Sequence, residues 1–270
     1  MNIMRIFKNI LTAAALVLMA AGLSSCYFRL SDDAKKQFKY DLRYRVSDRG
    51  GKIDTVTRNV GKFNSIDLDI LLNDMMFVQT EDEFKVEVIA YDNLIDSIHT
   101  TNDNGVLRIY NSKYNSEIQG MTQVRVYAPS VSGITNRGSG NIRISEYSGD
   151  SLRIDTIGSG DLVAFNIEIS GKLTVKGTGS GDHKLKHISA SEMIIDKKGS
   201  GDGEYNDLNV GTLSVASKGS GDTTLSGKAD SVIFNKAGSG DIDASGLKAK
   251  HVNSRESGSG DLTINRESVK

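Results

Sequence analysis

Tryptophan is absent from this chain of 270 residues, and cysteine and proline each occur once. A single cysteine, Cys26, rules out an internal disulfide, so its position calls for another explanation. Without tryptophan, and with only 6% aromatic residues, the chain lacks the usual stacking platform of a sugar site. Charge of one sign is also missing. The 33 Lys and Arg nearly balance 34 Asp and Glu, and no basic stripe stands out, which disfavours nucleic acid as a partner. Beyond Gly22 no apolar run is long enough to cross a bilayer as a helix.

What is present begins at the N-terminus. Met1 to Lys8 carries Arg5 and Lys8 and no acid, Ile10 to Gly22 is a short apolar run, and Leu23-Ser24-Ser25-Cys26 follows. A basic start, a short apolar stretch and a small-residue cleavage site make a secretory signal peptide rather than a membrane span. The small residues leading into a cysteine resemble the lipobox of bacterial lipoproteins. That resemblance implies cleavage before Cys26, with lipid on its thiol and its new amino group. Loss of Arg5 and Lys8 takes the 33 basic residues to 31 against 34 acids, a mildly acidic mature chain.

The dominant signal is internal repetition. Gly-Ser-Gly recurs at Gly138, Gly158, Gly179, Gly199, Gly219, Gly238 and Gly258, at intervals of 20, 21, 20, 20, 19 and 20 residues. Asn141 follows the first copy and Asp follows the other six: Asp161, Asp182, Asp202, Asp222, Asp241 and Asp261. Aligned on these copies, one column reads Ile144, Ala164, Leu185, Tyr205, Leu225, Ala244, Ile264. Another reads Leu152, Leu173, Met193, Leu213, Val232, Val252, with a partner column two residues on. Period two marks a strand with one buried face. No unit has room for a helix, so the expected fold is all-β: a parallel β-solenoid of coils near 20 residues. At strand spacing the coils make a rod of roughly 30 Å.

Gly-Ser-Gly-Asp suits a tight corner. Glycine reaches positive φ without a Cβ clash, and Asp accepts hydrogen bonds from backbone N–H groups a residue or two away in its own turn. The competing reading makes Asp161, Asp182, Asp202, Asp222, Asp241 and Asp261 a cation-binding ladder. Calcium-binding β-rolls mix Gly and Asp but at a nonapeptide period, so the corner reading is preferred and no cofactor or metal is expected.

The N-terminal half is less regular. Residues 26–58 are expected to form the lipidated tether, acidic at Ser31-Asp32-Asp33, and a first strand around Phe38 to Val46. Residues 59–130 alternate as a β-rich head or cap before the solenoid of 131–270, with a short helical turn at Asn93 to His99 and a hairpin at Asn104-Gly105. Pro129 closes this region. A cap is needed because an open coil edge invites aggregation. At the other end, Leu262 and Ile264 belong to an incomplete coil whose edge could pair with another copy of the chain.

Phe63-Asn64-Ser65-Ile66, Tyr91-Asp92-Asn93-Leu94-Ile95, Asn104-Gly105-Val106-Leu107-Arg108-Ile109, and Pro129 followed by Gly138-Ser139-Gly140-Asn141-Ile142 together resemble the auto-transporter adhesin, head GIN domain family. The resemblance covers about residues 60 to 265. It implies an exported, often lipid-anchored protein and an adhesive role, and it brings no catalytic residues.

An enzyme is disfavoured. Glycoside hydrolysis needs two carboxylates at a set separation, and the scattered acids single out no pair. His183 and His187 are four apart, a helical spacing in a strand coil, so a surface position is expected for each, as for His99 and His251. Polysaccharide binding is the alternative, with a β-helix polysaccharide-degrading enzyme behind it; the aromatics that could serve lie mainly in the head, from Phe63 to Tyr127. The sequence thus points to a lipid-anchored adhesin-like or scaffold module of the cell envelope, anchored in the outer membrane, touching a surface polymer or protein.

Overall fold

The computed structural model describes residues 51–70, 73–111 and 122–265. Cys26, Ser31-Asp32-Asp33 and the strand expected at Phe38 to Val46 lie outside the described residues. Within them the chain forms sixteen strands and one 3-10 turn, joined into a single sheet.

The first seven strands are β1 (Ile53–Arg58), β2 (Ser65–Asp69), β3 (Asp74–Gln79), β4 (Lys85–Tyr91), β5 (Ile98–Asp103), β6 (Val106–Asn111) and β7 (Thr122–Ala128). A 3-10 turn at Ile95–Ser97 occupies the expected helical turn. Asn104 (φ 50°) and Gly105 (φ 81°) make the predicted tight hairpin between β5 and β6. Then come β8 (Gly133–Asn136), β9 (Asn141–Ile144), β10 (Tyr147–Gly158), β11 (Leu162–Gly179), β12 (His183–Gly199), β13 (Gly203–Gly219), β14 (Thr223–Gly238), β15 (Ile242–Ser257) and β16 (Leu262–Ile264).

From β10 onward each long strand pairs in parallel with the next at the period of the sequence repeat, so Leu152, Leu173, Met193, Leu213 and Val232 stack in one buried column. Ile154, Val175, Ile195, Val215 and Phe234 stack in the next inward column. Each such side chain contributes about 1.5–3 kcal/mol by leaving water. A coil that alternates inward apolar and outward polar residues therefore has only one register that buries its apolar set. The repeat is the expected parallel β-solenoid.

The periodicity places a first corner at Gly138, yet the parallel register starts two levels earlier. β2 pairs in parallel with both β6 and β8, and β3 with both β7 and β9. The level made of β2 and β3 is therefore sandwiched between one made of β6 and β7 and one made of β8 and β9. The chain lays down the second level first, runs out through β4 and β5, and returns with β6 and β7 to build the first. Antiparallel strands close this end: β5 lies on β6, β4 on β7, and β1 on β4.

Two corners per coil are set by residue type. Asn166, His187 and Asp207 sit one above another at φ between 52° and 59°, a left-handed conformation that Asn, Asp and His tolerate better than other side chains. The coil beginning at Gly219 is one residue short. The gap is absorbed at Gly227 (φ +120°), where a Cβ would stand 2.3 Å from the Leu208 nitrogen.

Lys218 and Gly219 are in register with Ala237 and Gly238, so deleting Gly219–Ala237 removes one coil and keeps every column aligned. That variant should unfold cooperatively at a moderately lower temperature. Deleting only Gly219–Gly227 puts polar residues into inward columns and should abolish the cooperative transition; matching melting curves for the two would contradict the stacked-coil account.

Candidate functional site along the Gly-Ser-Gly-Asp corners

The corners stack so closely that their glycines are sterically required. A Cβ on Gly179, itself at φ +131°, would lie 2.0 Å from the Gly158 carbonyl oxygen, and one on Gly201 would lie 2.1 Å from that of Gly181. The serine between the glycines donates its backbone N–H one coil back, as Ser180 does to the Gly158 carbonyl (3.0 Å) and Ser200 to that of Gly179 (3.0 Å).

The aspartates follow the same axial logic, and here the structure corrects the sequence reading. Each Asp is expected to cap its own corner; instead, from Asp161 to Asp241, its Oδ1 accepts the backbone N–H of the Asp one coil further on. Asp182 donates to Asp161 (2.9 Å), Asp202 to Asp182 (2.7 Å), Asp222 to Asp202 (2.9 Å), Asp241 to Asp222 (2.8 Å) and Asp261 to Asp241 (2.8 Å). Asn141 Oδ1 begins the series by accepting from Asp161 (2.9 Å). Strand amides of a solenoid point along the rod, so the donor available to each carboxylate belongs to the neighbouring coil. The carbonyl of each later Asp in turn accepts from the residue after the earlier Asp, as Leu162 N–H donates to Asp182 O (2.8 Å).

The ladder has a further member that the repeat does not announce. Asp74 is in register with Asn141, and its Oδ1 accepts from Asn141 Nδ2 (3.2 Å) and Arg143 Nε (2.8 Å). It lacks a preceding Gly-Ser-Gly, so alignment on that motif passes over it. For the cation reading, one oxygen of each ladder carboxylate from Asp161 to Asp241 is already engaged by an N–H. Among the described residues no three His, Cys, Asp or Glu side chains converge as a metal ion requires.

Behind the ladder, the corners of Ser180 and Ser200 carry buried polar side chains. At two corners a glycine three residues from Ser makes room for a large polar side chain three residues on its other side. Gly177 leaves room for His183, and Gly203 for Lys197 and Tyr205; a Cβ on Gly203 would lie 3.1 Å from Lys197 Cδ and 2.7 Å from the Tyr205 ring. His183, expected at the surface, is only 1% exposed. Its Nε2 lies 2.7 Å from Thr156 Oγ1 and its Nδ1 3.1 Å from the Tyr205 hydroxyl. Thr156 donates to the Lys176 carbonyl (3.3 Å). The network therefore assigns the proton to Nε2, with Tyr205 donating to Nδ1. Burial first, and then the Lys197 charge, lower the His183 pKa to about 3, so the imidazole is neutral.

Lys197 is 6% exposed, and its ammonium has no hydrogen-bond partner among the described residues. Burial lowers its pKa from 10.5 to about 8, while the carboxylates of Asp182 and Asp202 partly hold it up. It thus places a positive charge inside the corner, next to the negative ladder outside. His187, by contrast, is exposed at the left-handed corner, with Nδ1 3.3 Å from Asp207 Oδ2. Sequence reading missed the Thr156, His183, Lys197 and Tyr205 group; the available signal was a glycine six residues away across the corner, Gly177 for His183 and Gly203 for Lys197.

Asp202→Asn should be near neutral, because Asn141 already fills the same role, whereas Asp202→Ala should destabilise by about 1–2 kcal/mol. In the alanine variant the amide of Asp222, one coil on, should exchange faster, and faster exchange confined to the corner of residue 202 itself would restore the own-corner account. For Lys197, the folded pKa lies below the unfolded one. Between about pH 8 and pH 10.5 the unfolded chain therefore holds the extra proton, and this group's contribution to stability rises with pH across that window. Lys197→Met should be more stable than wild type at pH 7 in urea unfolding, with the difference shrinking toward pH 10, by up to about 1.4 kcal/mol for each pKa unit. A difference independent of pH would refute it.

With this architecture in view, its relatives can be placed. A family model described as "Putative auto-transporter adhesin, head GIN domain" matches residues 62–202 and again 166–269. No match is found among curated proteins. Among solved structures, a Bacteroides fragilis NCTC 9343 protein described as a putative adhesin aligns at 21% identity over 80% of this chain and 98% of its own, with a TM-score of 0.71. A Parabacteroides distasonis ATCC 8503 protein described as a putative lipid binding protein aligns at 19% identity over 82% and 98%, with a TM-score of 0.60. A second protein from that organism, described as a putative adhesin, aligns at 20% identity over 79% and 97%, with a TM-score of 0.59. At such identities these likenesses establish the fold, and the matched family model extends over most of the chain. The chain belongs to the auto-transporter adhesin, head GIN domain family.

Proposed function

We propose that this protein is a lipid-anchored adhesin-like module of the cell envelope, held to the outer membrane through Cys26, that contacts a surface polymer or another protein without catalysing a reaction. The observation that carries this reading is the rigid, repeated outer surface of the solenoid. Outward columns place like positions one strand apart along the rod. Several are tied into axial ion pairs: Lys172 with Glu192 (3.0 Å), Lys184 with Glu204 (3.3 Å) and Lys176 with Asp196 (3.8 Å). Exposed pairs of this kind contribute at most about 1 kcal/mol each. Their effect is to hold long side chains in fixed rows, which suits an extended partner rather than a small substrate. Family membership supports the same direction, as do the leader and Cys26 in the sequence.

The test combines anchoring with topology. Cys26→Ser should leave the protein unprocessed or soluble, with incorporation of labelled palmitate lost. In intact cells, added protease should degrade or release the wild-type chain. A chain that resists shaving until the outer membrane is opened would place it on the periplasmic side and remove the adhesive role, and a Cys26→Ser protein still processed and membrane-bound would remove the anchor.

A further inference from the structure

One face of the rod carries its charges in an order that a single chain cannot pair. It is the short face that follows the left-handed corner of Asn166, His187 and Asp207. Its outward row runs Ser148, Glu168, Ser189, Asn209, Lys228, Lys248 from coil to coil. The row beside it holds Asp150, which accepts from Ser170 (2.9 Å), then Ser191, Gly211, Asp230 and Lys250, the last two ion-paired at 2.6 Å. Glu168, Lys228 and Lys248 are exposed and make no ion pair among the described residues. Lys228 and Lys248 are neighbours of like charge in register. Glu168 lies three coils from Lys228, about 14 Å at strand spacing, too far for contact within one chain.

The order has a symmetry. Asp150 and Glu168 occupy the first two coils of this face, and Lys228, Lys248 and Lys250 the last two. The middle two carry only Ser189, Ser191, Asn209 and Gly211. A second copy turned end for end and laid face to face on the first therefore matches it row by row. Glu168 meets Lys228, Asp150 meets Lys250, and each contact occurs twice because both faces are the same surface. Asp230, already held by Lys250, faces Ser170. The short central residues let the two sheets approach. A copy laid on in the parallel sense sets Glu168 against Glu168 and Lys228 against Lys228, so charge selects the antiparallel arrangement.

We infer that this face binds the same face of a second, antiparallel copy of the chain. The chain enters its rod at the β1 end, so antiparallel pairing puts the two points of entry at opposite ends. That is the arrangement required of copies anchored in two facing membranes. The inference rests on the envelope-adhesion reading above and gives it a partner: the same protein on a neighbouring cell. Six coils make a face roughly 30 Å long and 15 Å wide, or about 450 Å² per copy. That is below the usual size of a stable interface, so one pair is weak and adhesion depends on many pairs acting together.

The test supplies the anchor itself, so its outcome is independent of lipidation at Cys26 and of the side of the envelope that the chain faces. The full chain, made with Cys26 free, is coupled through this single thiol to two dye-marked sets of beads. Wild-type beads should cluster, and less so as salt rises. Glu168→Lys beads and Lys228→Glu beads, carrying chains with the wild-type melting temperature, should each cluster severalfold less among themselves. Mixing the two variants should restore clustering in mixed aggregates, because each substitution then faces a compensating charge. Glu168→Lys beads mixed with wild type should stay weak. The inference is overturned if wild-type beads remain dispersed, if the single substitutions have no effect, or if mixing the variants restores nothing. It is equally overturned if Glu168→Lys beads cluster with wild type above the wild-type level, the mark of parallel pairing.

Discussion

The contact on which this structure depends is that of one corner glycine with the carbonyl of the corner glycine a coil away. The approach leaves no room for a Cβ, and the same backbone turns at positive φ at positions such as Gly179. From Gly138 onward, coils can therefore stack at strand spacing only if the chain returns to a glycine at the same point of the turn; the level beneath has Ile70 there, and its carbonyl leaves no room for a Cβ on Gly138. The near-constant interval between Gly-Ser-Gly copies is the sequence record of that steric condition. Once the corner is fixed, the inward columns follow, because a shift of one residue would turn each apolar set outward.

The corner also has to manage charge. Its aspartates line one edge of the rod, and neighbouring carboxylates about 5 Å apart repel by about 1 kcal/mol in water-like surroundings. An N–H from the next coil compensates each one from Asp161 to Asp241, since a hydrogen bond to a charged group contributes about 1.5–3 kcal/mol. The bond that stabilises the carboxylate is thus the same bond that ties coil to coil. Lys197 adds a cation from the interior side, at the cost of desolvating its own ammonium. These two devices balance the ladder with groups that the chain itself carries.

Surface and core then divide the work. Outward rows of paired charges are held in register by the buried columns, and that rigidity underlies the proposed role in binding an extended partner.

The sequence by itself determined the repeat, the inward columns, the hairpin at Asn104-Gly105 and the placement of Gly-Ser-Gly-Asp at corners. All are local or periodic signals: a fixed interval, an alternation, or a residue type that a turn demands. Only the tertiary structure decided that β2 and β3 lie between levels built from later segments, because a parallel pairing between Ser65–Asp69 and Val106–Tyr110 leaves no periodic trace. It likewise decided that Asp74 joins the ladder, that His183 and Lys197 turn inward opposite Gly177 and Gly203, and that each Asp caps the next coil rather than its own. In each of these cases the deciding partner is another coil or the opposite side of a corner, so the outcome depends on how surfaces meet in space and not on the order of residues along the chain.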